Sequence, residues 1–199
     1  MRRALPVLLA VVPLALAACS SGGTTGSASS SPSASDAASG ALPTELTFDL
    51  NTGSVAVALD AAAPRTVVAQ TTLAREGYFD GTPCHRLTTQ GIFVLQCGDP
   101  TGTGTGGPGY KLPDENLPAA SKNNYPAGTV AMANSGPNTA GSQFFIVYED
   151  TTLPPGYTVW GEVTSGLDVV KKIAAQGTKT GAPDGPPKDP VTIESTTVS

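Results

Sequence analysis

The sequence of 199 residues has little of what most catalytic and binding sites are built from: it contains one histidine and three cysteines. These residues show no recognisable spacing of zinc ligands, and no G-x-S-x-G motif is present to supply a serine nucleophile. The 11 lysines and arginines form no cluster, which argues against the basic surface of a nucleic-acid-binding protein. We therefore predict no metal site, no nucleophilic catalysis and no nucleic-acid partner.

Charged residues are also scarce, at 14% of the chain, and the formal net charge is −5. Solubility outside a cell is enough to explain this acidity. Glycine and proline are abundant instead, with 23 and 18 residues, or 41 of 199. Such a composition favours strands and turns over long helices. Hydrophobic residues make up 39% of the chain, which suffices for the core of one domain.

The first 19 residues have the order of a targeting segment, with Arg2 and Arg3 followed by an apolar stretch, 5–18, too short to span a bilayer comfortably. The stretch ends in Leu-Ala-Ala-Cys, which resembles a bacterial lipobox whose cysteine, here Cys19, receives lipid. We predict a lipoprotein signal peptide over 1–19 and an extracytoplasmic protein anchored to the cell membrane by lipid alone. The alternative is an ordinary secretory signal in which Cys19 is incidental.

The next segment, 20–42, is almost wholly Ser, Gly, Ala and Thr, so we predict a disordered tether and a folded domain over 43–199. Short apolar segments separated by turn residues fill this domain, and only two stretches have helical spacing. Many short strands with two helices predict an antiparallel β-barrel. The predicted strands are 45–50, 55–59, 84–87, 92–96, 129–133, 142–148, 158–163 and 191–195; the predicted helices begin at Pro64 and at Gly166.

Two stretches concentrate the chemistry of the domain. Residues 125–149 read YPAGTVAMANSGPNTAGSQFFIVYE: a turn, a short apolar run, a polar loop too rich in Gly, Pro and Asn for regular structure, and a strand. Residues 84–87 and 93–99 add one arginine and one glutamine to a similar apolar run. Together these blocks resemble the signature of the cyclophilins, the β-barrel peptidyl-prolyl isomerases. The order of the elements over 43–199 resembles that family as well.

The resemblance implies a closed eight-stranded antiparallel β-barrel capped by two α-helices, a monomer that uses no cofactor and acts on proline-containing unfolded or extended polypeptides. It implies that Arg86 stabilises the twisted prolyl amide, and that Gln143 and Gln96 position the substrate and Arg86. The backbone of Asn134 would pair with the peptide. The implied catalytic residues are Arg86 and Gln143; the implied substrate-binding residues are His85, Phe93, Val94, Gln96, Ala133, Asn134, Ser135, Phe145, Leu153 and Tyr157.

Several of these residues allow a plainer interpretation. A lone histidine such as His85 is usually structural, and Arg86 in an apolar strand must be either paired or facing a cleft. Residues 102–107 match G-x-G-x-x-G, but Pro108 and Gly109 follow where a dinucleotide site needs a helix. We interpret this segment as a flexible rim of the substrate groove. The chain also departs from the family at Val94, where a methionine is usual, and by two extra residues between Arg86 and Phe93.

The resemblance also bears on the cysteines. If Cys19 carries lipid, Cys84 and Cys97 remain, and an oxidising compartment preserves paired cysteines. The family register would pair Arg86 with Leu95 and so place Cys84 opposite Cys97, which predicts a disulfide; two buried free thiols are the alternative. For function, the leading hypothesis is an isomerase that assists the folding of exported proteins. The alternatives are a peptide-binding or chaperone module with little isomerase activity and, less well supported, a solute-binding lipoprotein.

Overall fold

The structure is a computed structural model that describes residues 41–199. The predictions for Cys19, for the signal peptide 1–19 and for residues 20–40 of the tether lie outside the described residues. The strands are β1 Glu45–Leu50, β2 Gly53–Leu59, β3 Thr82–Pro83, β4 Arg86–Thr88, β5 Val94–Cys97, β6 Thr129–Met132, β7 Phe144–Val147, β8 Val159–Ser165, β9 Asp184–Gly185 and β10 Thr192–Val198; the helices are α1 Pro64–Arg75 and α2 Leu167–Gln176. Neither of these two helices is long and apolar enough to cross a membrane.

The strands form one sheet in the order β3-β10-β1-β2-β8-β6-β7-β5-β4-β9, and the ladders between named strands are antiparallel. Only Cys84 and His85 separate β3 from β4 in the chain. This short connection brings the β10 side and the β5 side of the sheet together, so the sheet curves into a half-barrel. The predicted mainly β, antiparallel architecture with two helices is confirmed.

The finer prediction of a closed eight-stranded barrel is not confirmed. The described sheet has ten strands, because the two-residue β3 and β9 add to the eight longer ones. β3 and β9 are the ends of the hydrogen-bonded order and do not pair with each other in the described part of the chain. The ladder is interrupted where the chain passes through Cys84 and His85, outside regular strand.

The main core combines buried residues of the sheet with buried residues of both helices. In β1, the alternate residues Leu46, Phe48 and Leu50 are buried, as a strand with one face on a core requires. Phe48 stacks on Phe144 with ring centroids 4.7 Å apart, and Trp160 meets Phe144 edge-on at 5.9 Å. Such aromatic pairs add to the stability that their buried area already provides.

The helices lie where the sequence places them. Pro64 occupies the first turn of α1, where its missing N–H costs no hydrogen bond, and the chain turns at Gly77 with φ of 70°. Helix α2 follows Gly166 and buries Val170 and Ile173 against the main core.

Strands β5, β6 and β7 are buried on both faces, which is why they read as continuous apolar runs rather than as alternating ones. Their second face carries a smaller apolar cluster, which consists of Val94, Tyr125, Ala131, Phe145 and Val147, with Ala133, Leu153, Tyr157 and Val159 packed against it. This cluster forms a preformed apolar floor on the face of the sheet away from the main core.

Candidate active site

The hairpin of β4 and β5 places two polar side chains beside the apolar floor. Arg86 pairs with Gln96 and Leu87 with Leu95, so the predicted pairing of Arg86 with Leu95 is wrong by one residue. The hairpin turns about Gly91, whose φ of 78° suits glycine, and Gln90 pairs with Ile92 across it. Directly paired residues project from the same face of a ladder, so Arg86 and Gln96 lie side by side.

Cys84 and Cys97 form the predicted disulfide, with their Cα atoms 4.0 Å apart. In the observed register Cys97 lies one residue away from the position opposite Cys84. The bridge therefore joins the two arms of the hairpin diagonally and encloses the segment that carries Arg86 and Gln96.

A chain of hydrogen bonds connects the predicted catalytic residues. Arg86 Nη1 donates to Gln96 Oε1 at 3.3 Å, and Gln96 Nε2 donates to Gln143 Oε1 at 2.9 Å. Gln143 Nε2 in turn donates to the backbone carbonyl of Gly106 at 2.9 Å. Each amide is fixed at both ends, so Gln96 and Gln143 have defined orientations and the guanidinium has a fixed neighbour.

A second partner of Arg86 comes from the other end of the chain. Asp184 Oδ1 accepts from Arg86 Nε at 2.9 Å, and Asp184 Oδ2 accepts from Nη2 at 2.6 Å. These bonds raise the pKa of Arg86 and lower that of Asp184. Arg86 is thus paired with Asp184 and also lies beside a cavity. The sequence allowed either a paired arginine or an arginine facing a cleft, and both descriptions apply. No sequence signal identifies Asp184, because it lies in a Pro- and Gly-rich stretch of sequence 98 positions from Arg86.

The cavity above the apolar floor has a volume of about 490 Å³. Nine of the predicted site residues line it: His85, Arg86, Val94, Gln96, Ala133, Asn134, Phe145, Leu153 and Tyr157. Gly102, Thr103 and Gly104 also line it and belong to the segment predicted as the rim, whereas the prediction missed three further lining residues: Ile92, Gly185 and Pro186. The Phe145 and Tyr157 rings meet edge-on at 5.5 Å. The cavity therefore joins an apolar wall to one cation and a small number of oriented amides.

Phe93 does not reach this cavity, contrary to the prediction. Its ring packs against Tyr148, with centroids 5.9 Å apart, at the edge of the main core. Successive side chains of a strand alternate between the faces of the sheet. Because Val94 and Gln96 face the cavity, Phe93 points to the other face and Ile92 takes the position beside the cavity.

A second depression of about 200 Å³ adjoins the first, sharing Gln96, Gly104, Ala133 and Asn134 with it. The two remaining predicted residues, Ser135 and Gln143, line this depression together with Lys111. The two depressions form one groove that passes over the hydrogen-bonded pair of Gln96 and Gln143. An extended chain could occupy both depressions at once.

The Gly-rich segment 102–107 forms the rim between the two depressions, and Asp99 holds it in place. Asp99 is fully buried and accepts hydrogen bonds from the backbone N–H groups of Thr101, Gly104 and Gly106 at 2.7, 2.7 and 3.1 Å. Burial opposes the charged form, but these bonds and that from the Thr101 hydroxyl outweigh it and lower the Asp99 pKa to about 2. A side chain at position 106 would collide with the Asp99 carboxylate.

His85 lines the cavity beside Arg86. Burial lowers the pKa of its imidazole from the ordinary value, against the opposing effect of the Asp99 charge, and so favours the neutral ring. Arg86 is then the one cationic side chain on the wall of the larger cavity, among the described residues that line it.

Comparisons with known proteins place the chain in a family with this kind of site. Residues 45–198 match the family described as cyclophilin type peptidyl-prolyl cis-trans isomerase. The chain is 50% identical over 157 residues to a probable peptidyl-prolyl cis-trans isomerase B of Mycobacterium leprae, covering 73% of this chain and 53% of that protein. It is 41% identical over 150 residues to a peptidyl-prolyl cis-trans isomerase-like 1 of Aspergillus fumigatus, covering 73% and 89%. The chain spans about half the length of the mycobacterial relatives it matches.

Solved structures give the same result. A crystal structure of a cyclophilin-type isomerase of Cryptosporidium parvum superimposes with a TM-score of 0.69 and 27% identity, covering 79% of this chain and 98% of that one. A structure of that protein in the presence of the dipeptide Ala-Pro gives a TM-score of 0.68. The family match covers most of the chain, and the fold agrees with it: the protein belongs to the cyclophilin-type peptidyl-prolyl cis-trans isomerase family.

Proposed function

We propose that this protein is a peptidyl-prolyl cis-trans isomerase whose transition state is stabilised by Arg86. The observation that carries the proposal is the position of one guanidinium, held by Gln96 and Asp184 at the edge of a cavity of about 490 Å³ with an apolar wall. An apolar wall with a few oriented polar groups suits a proline ring and the amide attached to it. Family membership and the names of the relatives support the same activity.

The reaction needs no bond to be made or broken. Resonance gives the prolyl C–N bond partial double-bond character and an isomerisation barrier of about 18–20 kcal/mol. Twisting this bond removes the resonance and leaves a lone pair on the proline nitrogen. A guanidinium N–H directed at that nitrogen stabilises the twisted amide more than either planar isomer, and so accelerates both directions.

The apolar residues Val94, Phe145, Leu153 and Tyr157 would hold the proline ring, with Ile92 replacing Phe93 in this role. Asn134 would present its backbone to an extended peptide. Its side chain supports this role, because Nδ2 donates to the Gly156 carbonyl at 2.7 Å and Oδ1 accepts from the Gly136 N–H at 3.1 Å. The substrates would be proline-containing unfolded or extended polypeptides, bound by a monomer without a cofactor.

One observation favours a second function, a peptide-binding module with little isomerase activity. The charge of Arg86 is paired with Asp184, and a nearby anion weakens the field that a guanidinium exerts on a substrate. The two functions differ in what Arg86→Ala does. If the wild type isomerises the peptide and Arg86→Ala loses this turnover, the isomerase is supported. If the wild type shows negligible turnover and Arg86→Ala binds the peptide as well as the wild type does, the peptide-binding module is supported.

We further propose that the protein works outside the cytoplasm, anchored through lipid on Cys19, where it assists the folding of exported proteins. The order of basic start, short apolar stretch and Leu-Ala-Ala-Cys supports export and lipidation. The disulfide between Cys84 and Cys97 is consistent with an oxidising compartment.

The deciding experiment is a protease-coupled isomerase assay on a Suc-Ala-X-Pro-Phe type peptide, comparing the wild type with Arg86→Ala. We expect Arg86→Ala to lower kcat/KM by about 10²–10³-fold, the range for losing one transition-state donor, with folding intact by circular dichroism. Arg75→Ala is the matched control, because Arg75 is exposed in the last turn of α1 and should keep full activity. An Arg86→Ala protein as active as the control would overturn the proposed mechanism.

A further inference from the structure

The guanidinium of Arg86 has five N–H donors, and the protein itself engages three of them. Asp184 accepts from Nε and from one N–H of Nη2, and Gln96 accepts from one N–H of Nη1. The two remaining N–H groups belong to Nη1 and Nη2. The partners therefore leave one N–H on each terminal nitrogen of the guanidinium for a substrate.

The backbone that carries Asp184 is firmly held. Asp184 pairs with Thr88, and Gly185 with Leu87, in the ladder of β9 with β4. Farther out, Thr178 pairs with Pro187 and the Lys179 N–H donates to the Pro186 carbonyl at 2.9 Å. Residues 178–187, which we term the Asp184 hairpin, thus dock onto the strand that carries Arg86.

The Asp184 hairpin also contributes directly to the cavity, because Gly185 and Pro186 line it beside Arg86. The same two strands therefore fix the position of the carboxylate, of the guanidinium and of one cavity wall. This arrangement lets a rigid element set the direction of a long, flexible side chain close to where the substrate lies.

The ion pair has little value as a stabilising contact. The side chains of Arg86 and Asp184 are 39% and 53% exposed, and exposed ion pairs contribute little to folding stability even when they are short. What the bidentate geometry does provide is a fixed plane and direction for the guanidinium, because two parallel N–H···O bonds allow it a single orientation.

We propose that Asp184 is a positioning residue for isomerisation: it holds Arg86 with its two free N–H groups directed at the prolyl amide. The inference rests on the proposed function. The Asp184 carboxylate has two opposing effects on catalysis. Its negative charge weakens the field of Arg86 at the substrate, and its two hydrogen bonds prevent the guanidinium from rotating away. The structure favours orientation as the larger effect, because Gln96 alone holds the guanidinium by one bond of 3.3 Å.

The test measures kcat and KM for the wild type, Asp184→Ala, Asp184→Asn, Arg86→Ala and the double variant Arg86→Ala/Asp184→Ala. We expect Asp184→Ala to lower kcat about tenfold with KM little changed, since a small misplacement of a catalytic group carries such a cost. Asp184→Asn keeps one acceptor and should recover part of the loss. In the Arg86→Ala background, Asp184→Ala should change kcat less than twofold, because the residue acts only through Arg86.

The control is Asp168→Ala, which removes a more exposed ion pair away from the cavity, with Lys172 at 2.7 Å on α2. It should leave kcat and KM unchanged. A spectroscopic measurement accompanies the kinetics: the Arg86 Nε–H resonance, assigned by its loss in Arg86→Ala, should shift and broaden in Asp184→Ala but stay in place in Asp168→Ala.

The outcomes separate the two hypotheses. An inactive wild type refutes the proposed function. An active wild type whose kcat is unchanged or raised in Asp184→Ala refutes the positioning role and leaves the function in place. Equal losses from Asp184→Ala in the wild-type and Arg86→Ala backgrounds also refute it, because they assign Asp184 an effect that does not pass through Arg86.

Discussion

Gln96 is the residue on which the order of the site depends, because it accepts from Arg86 and donates to Gln143. Gln96→Leu keeps the approximate size of the side chain and removes both bonds, leaving an oxygen of Gln143 without its donor. A hydrogen bond to a charged group contributes about 1.5–3 kcal/mol, so we expect kcat/KM to fall about tenfold or more. The assay is the same protease-coupled one.

The control for this variant is Gln176→Leu, which changes an exposed glutamine at the end of α2. It should behave as the wild type. If Gln96→Leu also retains full activity, then the connected amides are not needed to hold Arg86, and the Asp184 pair must suffice.

Asp99 gives a prediction about stability and pH. Its pKa is about 2 in the folded protein, against an ordinary value of 3.8. A depressed pKa means that the charged form stabilises the fold at pH values above 3.8 and that this contribution disappears as the pH falls through 2. The difference corresponds to about 2 kcal/mol at neutral pH. Asp99→Asn should lose about this amount, since it replaces an acceptor oxygen with an amide that faces N–H donors.

Urea unfolding of the wild type and Asp99→Asn at several pH values measures this effect. The difference in unfolding free energy should be largest near pH 7 and should shrink between pH 4 and pH 2. A difference that is the same at every pH would show that packing, rather than the charge, accounts for the loss. Asp80→Asn, an exposed carboxylate, is the control and should cost little at any pH.

At the scale of single residues, the sequence predicts the site residues that stand in recognisable motifs. It does not predict the residues that reach the site only through tertiary contacts. Arg86, Gln96 and Gln143 stand in recognisable blocks and lie together in the structure. Asp99 follows one of those blocks, but its role depends on a loop that folds back onto it. Asp184 has no local signal at all, because its contact with Arg86 depends on two strands 98 positions apart.

Among the elements, the β4–β5 hairpin shows where pattern reasoning stops. Apolar runs on either side of a turn predict two strands, and both are present. The register depends on where the turn is centred. The predicted pairing of Arg86 with Leu95 centres the turn between Gln90 and Gly91, whereas the observed pairing with Gln96 centres it on Gly91. Gly91 with its positive φ sets this centre. Alternation along β5 separately places Ile92, rather than Phe93, on the face of Val94 and Gln96.

The disulfide belongs to this hairpin, and its removal should affect stability first. Cys84 and Cys97 are 13 positions apart, and closing a loop of this length adds about 2–3 kcal/mol in the chain-entropy model. We expect Cys84→Ser/Cys97→Ser to lower the unfolding free energy by about that amount in a denaturant titration. Isomerase activity should fall less than in Arg86→Ala, because Arg86 keeps its partners on β5 and β9.

Chemical reduction provides a control for the double variant. Reductant should destabilise the wild type and leave Cys84→Ser/Cys97→Ser unchanged. Alkylation followed by intact mass measurement shows directly whether the Cys84–Cys97 disulfide forms. Two alkylated thiols in an unreduced sample of the folded domain would contradict the structure.

For the whole molecule, the fold class could be predicted because the elements themselves have strong signals: period-two alternation in β1, apolar runs in β5 to β7, and helical spacing bounded by Pro64 and Gly77. The strand count could not, because β3 and β9 are two residues long. Such strands form only when tertiary contacts present a partner, β10 for one and β4 for the other. Their own sequences, Thr-Pro and Asp-Gly, favour turns rather than strands.

The sequence of residues 1–19 alone predicts where the molecule acts. If lipid on Cys19 anchors the protein, the wild type should enter the detergent phase of a Triton X-114 extraction, since buried acyl chains gain about 0.8 kcal/mol per CH₂ group. Cys19→Ser should move the protein to the aqueous phase or the medium, or leave it with its signal uncleaved. Ser20→Ala changes the next residue without touching the thiol and should partition as the wild type does. A wild-type protein found entirely in the aqueous phase would refute the anchor, while leaving the isomerase assay of the folded domain unaffected.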